Sequence, residues 1–552
     1  MGIVYNFFFM FGGVAAMMLG MKIMGSALEK FAGNNMKKLL GKATSNRFAG
    51  VGVGIAVTGI IQSSTATTVM LVGFVNIGLM SLAQATNVIM GANIGTTVTA
   101  HLVSLAGVGA IDVGAIAALI GFIGIMFAML SKNDKLVNIG NILAGLGLIF
   151  VGLEFISTYA KAVMFTESGA PHAVVENLFK TDHFPLLLVL IGIVITALVH
   201  SSSTITSLMV VLASINVLSF ENALFLALGS NIGTCITSIM SSAGTCTNAK
   251  RTAIVHLLFN CFGCVLFIIP LWIWSSSVSS LFGKISANVG QQIAIFHTLF
   301  NIVTTLVLLP FAGLIVKLAC KIIPEKKEKE KEQFSFAFID ERMLQTPPIA
   351  VGNIRREVVR MGEIAKTNLN LSMEMLLKSE DREKAIRENE EHLNYLNKNI
   401  TLYLTKLMRK DLSETDDKKV GSYYHVVSDV ERIGDYAENI MEYAMRLRAE
   451  QMAFSPEAVE ELDKMAKKVN ELYDYSFTAF DERDLSMLVK VEQIEEAVDD
   501  MTEELESKHI ERVKKGACTA QLGSVYLQTV SNLERVADHI DNVAGSIRKY
   551  TK

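Results

Sequence analysis

The chain has 552 residues, 51% of them hydrophobic, with 50 Lys and Arg against 54 Asp and Glu. That length asks for more than one domain. The formal charge of -4 says little about partners, because the composition changes along the chain: apolar with scattered single charges before Lys321, rich in Lys and Glu after it. Six cysteines, mostly in apolar segments, do not make a disulfide framework. Cys261 and Cys264 have CxxC spacing but no second pair, and are read as small packing residues rather than a redox or zinc site.

Residues 3 to 25 are apolar for the roughly 20 positions that cross a hydrocarbon core, and predict a first helical span. No basic residue precedes this stretch, as a cleaved signal peptide would require. The next segment carries Lys30, Lys37, Lys38, Lys42 and Arg47 against Glu29 alone, which assigns it to the cytoplasm. Residues 49 to 104 are long enough for a re-entrant pair of half-helices and one broken span. Within them lie Gln62-Ser63-Ser64-Thr65-Ala66-Thr67-Thr68 and then Gly91-Ala92-Asn93-Ile94-Gly95-Thr96. Ser104 to Val113 holds Asp112 and no Lys or Arg, and is expected outside. Residues 114 to 130 then cross inward, Lys132 and Lys135 mark a cytoplasmic turn, and 137 to 156 cross out again.

The polar stretch recurs. His200-Ser201-Ser202-Ser203-Thr204-Ile205-Thr206-Ser207 and Gly229-Ser230-Asn231-Ile232-Gly233-Thr234 repeat the first pair of motifs at an offset of 138. In both copies 31 positions separate the Gln or His from the Asn, so one structural unit is used twice. The segment ahead of the second copy, 157 to 185, has Lys161 and Lys180 against Glu167, Glu176 and Asp182. Its basic excess is gone, so it is expected outside. The two copies therefore enter from opposite faces, as an inverted repeat does. Lys250 and Arg251 fall inside, 253 to 273 go out and 291 to 319 return. These last two spans share an echo, His256 with Asn260 and His297 with Asn301, each pair one helical turn apart. Inter-helix hydrogen bonding is the favoured reading of these pairs, ahead of substrate contact.

Ser and Thr at membrane depth need partners within protein or a watered cavity. Breaking the helix there leaves free N–H groups and a positive dipole end, an anion site. Two inverted copies bring two such ends together near the midplane, fit for a tetrahedral oxyanion. Hydroxyls, carbonyls and the amides of Gln62, Asn93 and Asn231 are hard neutral ligands for a small cation, and neither polar copy contains a carboxylate. Close helix packing by small residues explains one such run but explains two equally spaced copies poorly. No Gly-x-Ser-x-Gly elbow surrounds Ser64 or Ser202 and no Walker A motif is present, so neither serine catalysis nor ATP drive is expected.

The Gln-Ser-Ser-Thr and His-Ser-Ser-Ser copies, each followed by Gly-x-Asn-Ile-Gly-Thr, resemble the sodium–phosphate cotransporter family over about residues 5 to 320. The resemblance implies Na+-coupled transport of inorganic phosphate. Ser63, Ser64, Thr65, Ser201, Ser202 and Ser203 would contact phosphate, and Gln62, Asn93, Thr96, His200, Asn231 and Thr234 would help to hold Na+. His200 departs from the family pattern, which has Gln there, and a His can titrate near neutral pH.

After a charged linker, 321 to 345, residues 346 to 552 read as a soluble all-helical domain of about six helices. Breaks fall near Ser379, Ser413 to Lys419, Ser455, Asp481 and Gly516. Val427 to Asp435 and Val530 to Asp538 repeat at an offset of 103, which predicts two three-helix units. The Glu-Arg-x-x-Asp copies resemble PhoU-like domains. That resemblance implies a divalent or transition metal at Glu431 with Asp435 and at Glu534 with Asp538; an ion-paired solvated face is the plain alternative.

The expectation is an all-α polytopic membrane protein with inverted repeats and re-entrant hairpins. Repeat one covers about 3–130, repeat two about 137–273, and a final span 291–319, followed by a cytoplasmic helical regulatory domain. It is expected to be a non-enzymatic Na+-coupled phosphate transporter of the cytoplasmic membrane. Expected partners are phosphate, membrane lipid, a second copy of the chain and phosphate-signalling proteins, but not nucleic acid. The competing readings are a membrane-tethered phosphate sensor without transport, and a transporter of another oxyanion.

Overall fold

The computed structural model describes residues 2–42, 46–105, 113–165, 184–325 and 334–551. It divides into two compact units, Met1–Lys327 and Glu328–Lys552. Among the described residues the chain is built of helices, without a strand.

The first unit holds fourteen helices among its described residues. The first half comprises α1 (Gly2–Lys42), α2 (Arg47–Ile61), α3 (Ser64–Asn76), α4 (Leu82–Gly95), α5 (Thr97–Ser104) and α6 (Val113–Leu130). The second half comprises α7 (Asp134–Met164), α8 (Pro185–Val199), α9 (Ser202–Ser214), α10 (Phe220–Gly233), α11 (Cys235–Ser241) and α12 (Thr247–Ile285). Then come α13 (Val289–Leu308) and α14 (Ala312–Ile322). Among the described residues, five helical segments are long and apolar enough to cross a membrane: Val4–Phe31, Asp134–Met164, Phe220–Ser241, Thr247–Ile285 and Val289–Leu308. Large apolar side chains such as Phe122, Met129, Leu130, Leu186 and Leu198 stand exposed on this unit. So much outward apolar surface is what a lipid-facing belt requires.

Three boundaries differ from the expectation. Helix α1 does not end near residue 25 but runs on to Lys42, so Lys30, Lys37 and Lys38 lie on helix rather than in a loop. Charge composition marks where a membrane stops, not where a helix does. Likewise α7 continues to Met164, while residues 166–183 of the expected outer loop lie outside the described residues. The expected last span, 291 to 319, is two helices parted at Pro310, whose ring and missing N–H break the ladder.

The repeat is exact in its breaks. Helix α2 closes on Gln62 in the left-handed region (φ 56°, ψ 25°), and α8 closes on His200 at φ 58°, ψ 22°. Ser63 then N-caps α3 and Ser201 N-caps α9, both extended at ψ 105°. The second break falls at Thr96 between α4 and α5, and at Thr234 between α10 and α11, with φ −60° and ψ −27° in both. Glycines let α2 touch α4 and α8 touch α10. A Cβ on Gly91 would lie 2.0 Å from the Val51 carbonyl, and one on Gly229 would lie 2.0 Å from the Val189 carbonyl. Only backbone-to-backbone packing, the habit of small residues in membrane helices, fits there. Packing between the repeats is reciprocal: α3 lies against α11 and α12, and α9 against α5 and α13.

The second unit holds α15 (Pro347–Lys378), α16 (Glu383–Met408), α17 (Glu414–Ala449), α18 (Pro456–Glu482), α19 (Leu488–Lys514) and α20 (Ala520–Gly545). These are the six expected helices. Ser413, Ser455 and Thr519 cap α17, α18 and α20 through their hydroxyls. Residues 334–345, expected to be linker, pack onto this unit. The buried Glu357 carboxylate accepts from the backbone N–H of Ala337 and Phe338, and Arg356 sits 4.2 Å over the Phe338 ring.

Candidate functional site

The tips of the two re-entrant hairpins meet on one cavity of about 290 Å³. A water molecule takes roughly 30 Å³, so there is room for a tetrahedral oxyanion and several waters. Gln62, Ser63 and Ala66 line it from the first hairpin, and Ser201, Ser203 and Thr204 from the second. The N-termini of α3 and α9 thus face one space. Ser63 Oγ accepts from the Ala66 N–H at 3.1 Å and Ser201 Oγ from the Thr204 N–H at 3.2 Å. A hydroxyl that accepts in this way keeps its own hydrogen to donate, although Ser201 Oγ also meets Thr204 Oγ1 at 2.8 Å, where either hydroxyl can be the donor.

The other expected phosphate ligands are not on the cavity wall. Ser64 and Ser202 are buried in the first turns of α3 and α9, and Thr65 is half-buried beside Ser64. The expected cation ligands also divide. Gln62 reaches the cavity, yet its amide is engaged: Nε2 donates to the Gly59 carbonyl and Oε1 accepts from Thr99 Oγ1 at 2.8 Å. His200 makes the matching tie, Nδ1 to Thr237 Oγ1 at 3.0 Å. Both ties span 37 positions, and both fasten a hairpin tip to the second half of the broken span in its own repeat. The His in place of Gln therefore keeps the mechanical link.

Asn93, Thr96, Asn231 and Thr234 are buried behind the tips. Thr96 and Thr234 bond back to the Ala92 and Ser230 carbonyls, each at 3.0 Å, and steady the breaks. Asn93 Nδ2 donates to the Ile89 carbonyl at 2.8 Å, whereas Asn231 joins α13 through His297 Nε2 at 3.2 Å and Asn301 at 3.4 Å. On α12, His256 Nδ1 meets Ser238 Oγ at 3.2 Å, and that hydroxyl donates to Thr68 of α3 at 2.8 Å. The two His and Asn pairs thus bond between helices, as the plainer reading expects.

A third wall was missed from the sequence. Met18, Met21, Lys22, Gly25, Ser26 and Glu29 of α1 complete the cavity. Lys22, Ser26 and Glu29 follow at helical spacing on an otherwise apolar span, a periodic signal that was there to be read. Gly25 seats this face close to the first hairpin, with a Cβ there only 3.0 Å from the Ile61 carbonyl.

A family model described as Na+/Pi-cotransporter matches residues 16–158, from α1 into α7 with the first pair of motifs, and 169–300, which holds α8 to α12 with the second pair and runs into α13. The chain belongs to this family. A PhoU domain model matches 358–444 and 462–547, the two three-helix units. The chain is 25% identical over 537 residues to YjbB of Escherichia coli (strain K12), a protein named for inorganic phosphate export, covering 97% of this chain and 96% of that one. It is 31% identical to YqeW of Bacillus subtilis (strain 168) over 307 residues, 56% of this chain and 95% of that one. A shorter stretch of 149 residues, 25% of this chain and 21% of the other, is 34% identical to the sodium-dependent phosphate transport protein 2B of Rattus norvegicus.

In the PhoU region the four expected metal residues stand as two pairs. Glu431 and Asp435 lie on α17 beside Glu390 of α16, and burial pushes all three carboxyls up. Glu390 goes furthest, to about 7, through burial first and then the charges of Asp435, Glu438 and Glu431. Glu534 and Asp538 on α20 are bridged by Arg535 at 3.6 and 3.5 Å. Among the described residues no group of three or more His, Cys, Asp or Glu is arranged to hold a metal ion. The second pair has the ion-paired form that competes with metal binding.

Proposed function

We propose that this protein carries inorganic phosphate across the membrane, binding it at the two serine caps and coupling its movement to Na+. The observation that carries the reading is the meeting of Ser63 and Ser201, equivalent N-caps of two equivalent hairpins, on one cavity. Free N–H groups of the first turns, two hydroxyl donors and two helix dipoles replace the water around a dianion. A doubly charged anion leaving water for a low-dielectric site needs opposite charge beside it. Bound Na+ supplies that charge, so each ion favours entry of the other, which is the basis of symport. Exchange of the reciprocal packing between the repeats would expose the cavity to one side and then the other. YjbB, similar over nearly the whole chain, is named for inorganic phosphate export, a direction that Na+ symport allows only where the outward phosphate gradient outweighs the inward Na+ gradient. The PhoU region is read as a cytoplasmic regulator of this flux.

The test is counterflow of labelled phosphate in proteoliposomes, with and without a Na+ gradient, for the wild type, Ser63→Ala and Ser201→Ala. A hydrogen bond to a charged group contributes about 1.5–3 kcal/mol, so each variant should weaken phosphate by roughly ten- to a hundredfold. Phosphate binding without flux in any condition would favour the tethered sensor. Stronger competition by sulfate or arsenate than by phosphate itself would move the cargo to another oxyanion. Deletion of 346–552 that left the rate and its phosphate response unchanged would remove the regulatory role.

A further inference from the structure

The wall contributed by α1 carries two charges into a cavity whose other walls are neutral. Lys22 and Glu29 are seven residues apart, two helical turns, so they share one face about 10 Å apart along the axis. Lys22 is exposed to the cavity, whereas Glu29 is only 9% exposed, and its Oε1 has no hydrogen-bond partner. An ionised carboxylate that deep, with an oxygen unsatisfied, is costly unless a cation or a proton joins it. Intramembrane carboxylates persist where they carry ions or protons. Among the described residues, Lys30, the next in sequence, is the charged group that acts on Glu29.

From this placement we propose that Glu29 is a binding site for a monovalent coupling cation, Na+ or a proton, held in the same cavity as phosphate. The proposal rests on the phosphate reading above. It changes where the coupling charge sits: on a carboxylate of α1, outside both repeated motifs, rather than on neutral amides and hydroxyls alone. Lys22 marks the anion side of the stripe and Glu29 the cation side. Because Gly25 holds this stretch of α1 against the end of α2, occupation of Glu29 is felt where the hairpin breaks. A filler carboxyl, kept protonated and unused, is the competing explanation.

The full chain in proteoliposomes would be assayed for binding of labelled phosphate across a range of Na+ at fixed pH, and across pH at fixed Na+. Glu29→Gln, the neutral isostere, should raise the half-saturating Na+ at least tenfold and lower the Hill slope by one. Glu29→Asp should recover part of this. If the cation is a proton, the wild type instead has a pH-dependent arm of phosphate binding that Glu29→Gln abolishes, with the Na+ response untouched. A folded Glu29→Gln protein with unchanged Na+ and pH responses overturns the proposal. In that event loss of phosphate binding in Ser63→Ala and Ser201→Ala would still stand for the serine caps, so the two readings fail separately. A measurement on the wild type guards against a misfolded variant: carbodiimide labelling of Glu29, read by mass spectrometry. Na+ or raised pH should protect it and choline should not, whereas equal labelling in all conditions also overturns the proposal.

Discussion

Replacing Glu390 with Gln should stabilise the PhoU region at pH 8 and do little at pH 5. The carboxyl is 6% exposed and faces the acidic face of α17. Asn394 Nδ2 donates to its Oε1 at 3.1 Å, while its Oε2 has no partner. Its pKa in the folded chain is raised from 4.5 to about 7. The folded state therefore binds more protons than the unfolded chain between those values, and stability falls as pH rises through that window, levelling above it. At about 1.4 kcal/mol per unit the full shift would be worth roughly 3 kcal/mol. The repelling carboxylates are partly in water, and screening lowers this to about 2 kcal/mol. Gln keeps the acceptor for Asn394 and offers its N–H₂ to the neighbouring acids, so the penalty is lifted.

The measurement is urea unfolding of residues 328–552 in EDTA, followed by far-UV circular dichroism at pH 5 and pH 8. The difference in stability between Glu390→Gln and wild type should change by about 2 kcal/mol between the two pH values, in favour of the variant at pH 8. Comparing differences cancels the titration of every other group. A difference that stays constant within about 0.5 kcal/mol, the scatter expected of independent sites, would refute the argument.

Three further outcomes are expected. His200→Gln should keep phosphate flux close to wild type, because Gln62 makes the same tie in the other repeat; Thr237→Val, which cuts the tie, should slow flux severalfold in the counterflow assay. Gly91→Ala or Gly229→Ala puts a Cβ 2.0 Å from a backbone carbonyl, an overpacking that costs at least about 1–3 kcal/mol, and should reduce the yield of monodisperse protein; normal yield would mean the half-helices pack less closely. Divalent manganese should raise the melting temperature of residues 328–552 at pH 8 by relieving the acids around Glu390, and EDTA should leave the region folded; melting curves identical with and without metal would discard the Glu431 and Asp435 metal assignment.

Much of the fold could be read from residue order, for physical reasons that differ from element to element. The hairpin breaks were legible because a Ser after an apolar run is an N-cap signal, and the signal occurred twice at equal spacing. The six helices of the PhoU region were legible from their caps at Ser413 and Ser455 and from their periodicity. The wall from α1 was not. Counting charges ended the first span before Lys30 and left Glu29 as the one acid of a basic loop. Yet a helix ends where its hydrogen-bond ladder ends, and α1 continues well beyond that point.

The division of labour among the expected ligands follows the same logic. Sequence spacing identifies residues that occupy equivalent places, but not which of them face the cavity. Ser63 and Ser201 are extended caps ahead of the first turn and reach the cavity, whereas Ser64 and Ser202, the first helical residues, are buried. The same reasoning explains how a His can stand for Gln62. What the repeat preserves at that position is a left-handed backbone and one bond to a Thr 37 residues on. A ring nitrogen provides that bond as well as an amide oxygen does. The symmetry of this membrane unit is thus kept at the level of backbone and hydrogen bond. Its asymmetry, in Glu29 and Lys22, comes from α1, which lies outside both hairpins.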